Sequence, residues 1–164
     1  MLRGRGCIAA WRVYRGDMST DPRVPGLASP AMFLLRAGVV LFLLGLLTGF
    51  AIPSLAVPRL GLSAHLAGTM NGIFLMVLGL MWGRLSFGPT LATLTLLLAL
   101  YGTFANWAAT LIGATLGAGG AFMPIAAAGA TGTPQVEMLV SGLLVSLSVA
   151  MVSVCGFVLW GLRK

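Results

Sequence analysis

The chain reads as an all-α integral membrane protein, a bundle of four transmembrane helices, and three observations predict it. Of its 164 residues, 59% are hydrophobic and only 8% are charged, against roughly 25% charged in soluble globular chains. Four apolar stretches run from about Met32 to Leu55, Leu62 to Trp82, Pro89 to Leu116 and Val136 to Leu162, each long enough to cross a bilayer. None shows the period-two alternation of a barrel strand, so helices are favoured over a barrel.

The net charge of +7 is topological and carries no nucleic-acid signal. Arg3, Arg5, Arg12, Arg15 and Arg23 precede the first span, and Arg36 lies at its start. Arg84 sits in the second connection, and Arg163 and Lys164 close the chain. The first connection holds only Arg59, and the third holds no basic residue. The positive-inside rule then places both termini and the second loop on the cytoplasmic side of a bacterial inner membrane. Arg36 and Arg84 are expected to snorkel to the headgroups.

Residues 1–30 mix Arg, Gly, Pro, Ser and Asp without an apolar period, and read as a mobile basic cytoplasmic arm ahead of a four-span domain, 31–164. The arm lacks the apolar core and small-residue cleavage site of a signal peptide, so the first span is expected to be a retained anchor. Its basic side chains can be drawn to anionic membrane lipid. Cys7 and Cys155 have no metal-ligand spacing around them.

The first connection, Pro53 to Gly61, is short and predicts a tight antiparallel pair of the first two spans. The second, Ser86 to Pro89, is shorter, with Pro89 suited to a helix start. The third, Gly117 to Gln135, is apolar and rich in Gly and Ala, unlike a solvated loop; it is expected to lie in the interface or to fold back as a lid. Glu137, at the start of the fourth helix, complements the helix dipole.

Small residues recur at helical spacing, as in Gly45 and Gly49 or Gly68 and Gly72, and such pairs commonly serve close helix approach in membranes. In the second span His65, Gly68, Thr69, Gly72, Met76 and Gly79 share one stripe. A large flat cofactor could lie against it, with His65, the only histidine, as a ligand at its head.

Ionisable groups inside a bilayer are functional-site candidates by default. Counted inward from Leu62, Asn71 lies about 14 Å deep. With the third helix ending near Ala114, Asn106 lies about 12 Å below the same surface. Two carboxamides from antiparallel helices therefore come to similar depth, with His65 nearer the outer surface and Tyr101 deeper. Each has a plainer reading. In it Asn71 and Asn106 serve only as interhelical hydrogen bonds, Tyr101 and Trp107 as packed rings with satisfied polar tips, and His65 as an interfacial residue.

The residues exclude much chemistry. No carboxylate pair, Cys/His dyad, phosphate-binding loop or series of buried charges is present. A single imidazole serving as axial ligand to haem iron is an economical alternative, since the cofactor brings the reactivity.

Leu34-Leu35-Arg36-Ala37-Gly38, Leu43 to Gly49, Ser63-Ala64-His65-Leu66-Ala67-Gly68, Gly83-Arg84-Leu85 and Ala105-Asn106-Trp107 together resemble the hydroxylaminobenzene mutases. The resemblance covers roughly residues 32–162. It implies a membrane isomerase that converts hydroxylaminobenzene, a small aromatic hydroxylamine, to 2-aminophenol. That family is distantly similar to the styrene oxide isomerases, four-helix membrane proteins that form homotrimers and use haem b as a Lewis acid. The resemblance implies His65 as the iron ligand and Asn71, six residues on, as a substrate-side group. Asn106 and Tyr101 are further candidates, although their spacing departs from the epoxide enzymes. Gly68 and Gly72 are expected to face the cofactor. A styrene-oxide-type epoxide isomerase, a non-catalytic haem-binding protein and a scaffold without cofactor are the competing readings.

Overall fold

The computed structural model describes residues 29–163 and is helical throughout, with five α-helices. They are α1 (Pro30–Ala51), α2 (Pro58–Met81), α3 (Pro89–Leu116), α4 (Pro124–Ala127) and α5 (Pro134–Gly161). Short 3₁₀ turns, Ile52–Ser54 and Trp82–Arg84, extend α1 and α2. The four long helices are apolar and long enough to cross a membrane, and most residues of each span are not buried within the chain. The arm expected over residues 1–30 lies outside the described residues, apart from Ser29 and Pro30.

Proline sets where these helices begin. Each of the five has Pro in its first turn, where the missing N–H would have had no intrahelical partner and the fixed φ suits the helix. The Ser29 side chain adds a cap, accepting from the Met32 N–H at 3.4 Å. The same logic moves two boundaries expected from hydropathy. α2 starts at Pro58 instead of Leu62, and α5 starts at Pro134 instead of Val136, because the prolines open the helices before the apolar run does. At the other end of α3, Gly117 adopts φ 68°. That left-handed conformation is cheap only for glycine and turns the chain out of the helix.

α1 packs chiefly on α2, α2 on α3, and α3 on α5, while α1 meets α3 only lightly. The helices thus follow the row α1–α2–α3–α5. The bundle is open along α2 and α5, where Phe74, Val77, Leu78, Met81, Cys155, Val158 and Leu159 line an apolar cleft of about 280 Å³. The main core joins Leu34 and Leu41 of α1 to Leu75 and Leu78 of α2, Ala99 of α3 and Val154 of α5.

The α1–α2 seam is a backbone contact. A Cβ on Gly45 would lie 2.6 Å from the Thr69 nitrogen, and one on Gly68 would lie 2.6 Å from the Gly45 Cα. A Cβ on Gly72 would lie 2.6 Å from the Phe42 nitrogen. Helices in lipid gain little from hydrophobic burial against each other, so association relies on such close packing. Buried hydroxyls are satisfied within their own helices. Thr48, Thr95, Thr103 and Thr110 donate to carbonyls four residues back, at 2.7–2.8 Å, which removes the cost of an unpaired donor in an apolar setting.

The Gly/Ala-rich third connection folds back over the end of the bundle where α2 begins and α3 ends, in line with one of the two alternatives the sequence offers. Ala127 of α4 is buried with Val57, Leu60 and Ala114, and Met123, Ala126 and Ala130 pack around them. Glu137 organises this segment beyond its place in the dipole of α5. Its Oε1 accepts from the backbone N–H groups of Gly119 at 2.9 Å, Gly132 at 3.1 Å and Gly120 at 3.3 Å. Replacing Glu137 by Ala strands these donors and is expected to destabilise the protein by about 2 kcal/mol. Thermal unfolding in detergent measures the loss, and hydrogen exchange should accelerate first at Gly119, Gly120 and Gly132.

Candidate functional site

His65 lies two turns into α2, half-buried beside α1. Its Nδ1 is 2.8 Å from the Gly45 carbonyl oxygen. A carbonyl can only accept, so Nδ1 carries the hydrogen and donates. In the neutral ring this leaves the lone pair on Nε2, the form in which imidazole serves as a metal ligand or base. Gly49, one turn along α1, makes room for the ring. A Cβ there would lie 2.8 Å from Nδ1, 3.1 Å from Cε1 and 3.4 Å from Cγ of His65.

Asn71 faces another way. Six residues separate it from His65, which at 3.6 residues per turn puts the two side chains about 120° apart around α2. Its Nδ2 donates to the Thr103 carbonyl of α3 at 3.3 Å, leaving Oδ1 and the second N–H for other partners. Thr103 lies three residues before Asn106 on α3, so the two carboxamides are about one helical turn apart in depth. Both sit deeper than the hydropathy boundaries suggested. Asn71 is about 20 Å from the start of α2 at Pro58, and Asn106 about 15 Å from the end of α3 at Leu116. The Asn106 side chain is half-buried.

Tyr101 joins α3 to α5. Its hydroxyl lies 2.6 Å from Ser146 Oγ. The serine hydroxyl donates to the Leu143 carbonyl at 3.0 Å, so Tyr101 is the donor and its oxygen can still accept. Within one chain, then, His65 lies against α1, Asn71 reaches α3, and Tyr101 is bonded to α5.

The open strip expected along Gly68 and Gly72 is corrected by the fold. α1 occupies it, with Gly45 against Gly68 and Phe42 against Gly72. Small residues on both helices allow backbone contact, which leaves no flat slot there inside a single chain. Their effect on His65 is indirect, because they bring α1 near enough for Gly45 to bond the ring. Sequence reading also missed Thr48 as a partner. The Trp107 indole N–H donates to Thr48 Oγ1 at 3.1 Å, and its Cδ1 lies 2.9 Å from where a Gly68 Cβ would stand. Trp107 therefore reaches from α3 across α2 to α1, with the satisfied polar tip expected of it. No local signal marks Thr48, since its role depends on a ring 59 positions away.

The described residues form an all-helical protein with four membrane-length helices and one half-buried imidazole, and the comparisons with known proteins give it a family. The styrene oxide isomerase family model matches residues 31–163. The chain belongs to the styrene oxide isomerase family, and it is an isomerase. It is 55% identical over 131 residues to hydroxylaminobenzene mutase HabB of Ectopseudomonas oleovorans, covering 80% of each chain. It is 43% identical over 119 residues to hydroxylaminobenzene mutase HabA of the same organism, covering 73% of this chain and 88% of that one. No solved structure matches it.

Replacing Trp107 by Phe keeps the ring but removes the donor to Thr48. The expected cost is about 1 kcal/mol, measured as a lower midpoint in detergent unfolding.

Proposed function

We propose that the chain is an integral membrane mutase that rearranges hydroxylaminobenzene to 2-aminophenol. The 55% identity to a hydroxylaminobenzene mutase over four-fifths of both chains carries this reading. The reaction is an isomerisation: the N–O bond breaks, a C–O bond forms at the ortho carbon, the ring proton leaves that carbon and nitrogen gains one. No external oxidant or reductant is needed.

His65 is the residue that would hold the iron of haem b. The bond to the Gly45 carbonyl holds Nδ1–H, and Nε2 keeps its lone pair on a half-buried ring. Outer partners of this kind orient a ligating imidazole and raise its basicity. Haem held there supplies Lewis acidity toward the oxygen of the hydroxylamine. The apolar surroundings exclude water that would compete for the activated ring carbon. Asn71, with Oδ1 and one N–H unused, can hold the migrating hydroxyl near the ortho position. Asn106, about one turn from it in depth, offers a second amide. Tyr101 can accept a hydrogen bond through its phenol oxygen while its own O–H donates to Ser146 Oγ.

The 120° divergence of His65 and Asn71 around α2 supports a homotrimer. The ligand of one subunit and the carboxamides of its neighbour would meet at the interface, and the open row of helices leaves flanks free for that contact. The described cations support insertion in the inner membrane with cytoplasmic termini. Arg36, Arg84 and Arg163 lie at one end of the bundle, and Arg59 lies at the other.

The purified protein is expected to show a Soret band and to form 2-aminophenol from hydroxylaminobenzene. His65→Ala should lose the band and lower turnover by at least about 10³-fold, a loss of about 4 kcal/mol in transition-state stabilisation. Activity without a Soret band would rule out the haem assignment but leave the mutase assignment intact. Turnover of styrene oxide in place of hydroxylaminobenzene would reverse the choice of substrate.

A further inference from the structure

One glycine on α1, Gly49, has an environment unlike its neighbours'. Gly38 and Gly45 lie against the backbone of α2, at Gly72 and Met76 and at Gly68 and Thr69. At Gly49 a side chain lies closest. The three atoms nearest its absent Cβ are Nδ1, Cε1 and Cγ of His65. One turn earlier, the Gly45 carbonyl holds the Nδ1 hydrogen of the same ring at 2.8 Å.

The geometry matters because neutral imidazole in water favours the opposite tautomer, with hydrogen on Nε2. That form has its lone pair on Nδ1, beside the carbonyl oxygen, where two acceptors would face each other. A carbonyl in the helical ladder already serves an N–H and still has a second lone pair for a side-chain donor. The Gly45 oxygen can reach the ring only because the glycines at 45 and 68 let the backbones approach. The ring can lie flat along α1 only because position 49 has no side chain. One pair of glycines thus supplies both the partner and the space.

We propose that Gly45 and Gly49 form a tautomer lock on His65, keeping hydrogen on Nδ1 and presenting an unprotonated Nε2 away from α1. Both are positioning residues, acting on the ring and not on substrate. The lock exists in the chain without cofactor. Its use in catalysis rests on the proposed role of His65 as haem ligand.

Because His65 is the only histidine, ¹⁵N-histidine labelling of the full chain in nanodiscs gives the nitrogen signals of one ring. In haem-free protein Nδ1 should resonate in the protonated, pyrrole-type range and Nε2 in the unprotonated, pyridine-type range. A protonated Nε2, or averaged signals from exchanging tautomers, would overturn the lock. Gly49→Ala should move both signals toward the averaged position and weaken haem binding by about 10–100-fold, the usual effect of losing an outer partner. Gly38→Ala, which introduces a similarly close clash with Gly72 and Met76 about three turns from Gly49, should leave the tautomer unchanged. If Gly49→Ala keeps the native signals and native haem affinity, position 49 has no part in the lock. If that variant does not fold, the wild-type tautomer alone decides. A wild-type ring locked on Nδ1 in a protein that binds no haem would keep the lock and refute the haem reading, whereas haem binding by a ring protonated on Nε2 before loading would do the reverse.

Discussion

Backbone contact between α1 and α2 is the constraint on which the rest of the molecule depends. In lipid, two apolar helices gain nothing from excluding water, so only dispersion and hydrogen bonding hold them together. Dispersion falls steeply with distance, and glycines at 38, 45, 68 and 72 allow the shortest approach. A side chain at Gly45 or Gly68 would push the helices apart. It would also carry the Gly45 carbonyl beyond reach of the imidazole. Packing and site geometry therefore share one cause.

Polar groups in the bundle divide into two kinds. The hydroxyls of Thr95, Thr103 and Thr110 bond within their own helices, whereas Thr48 donates within α1 and also accepts from Trp107 of α3. The longer side chains cross between helices: His65 to α1, Asn71 to α3, Trp107 to α1, and Tyr101 to α5. Each crossing bond orients its group; the Trp107 donor is fully used, while His65, Asn71 and Tyr101 keep part of their hydrogen-bonding capacity. Polar groups that satisfied one another fully would be structural only; these remain able to bind something else.

The helix row adds a consequence for assembly. A closed four-helix square would turn every inner face toward one axis and bring His65 and Asn71 no nearer, because both lie on one rigid helix. With α1 on one flank of α2 and α3 on the other, the imidazole and the carboxamide belong to different faces. In the proposed trimer, contact with a second copy would bring an imidazole and a carboxamide together across a shared space. The folded-back connection, held by Glu137, packs where α2 begins and α3 ends.

Most of the architecture was legible in the residues. Four long apolar runs cannot avoid forming helices in a membrane, since the backbone must satisfy its own hydrogen bonds there. The charge pattern marked which ends lie together, and antiparallel counting brought Asn71 and Asn106 within about one turn of each other although the start of α2 was misplaced. His65 was conspicuous because an ionisable group in so apolar a segment is costly. What the residues could not show was direction. The stripe from His65 to Gly79 had the same periodicity whether it faced an open slot or another helix, and α1 filled it. The lone Glu137 looked like a dipole complement until three glycine N–H groups met its oxygen. Chain composition and period determine which groups enter the membrane and at what depth. Which face each turns, and which nitrogen of His65 carries the hydrogen, depend on contacts from positions distant in sequence, and only the tertiary structure supplies those.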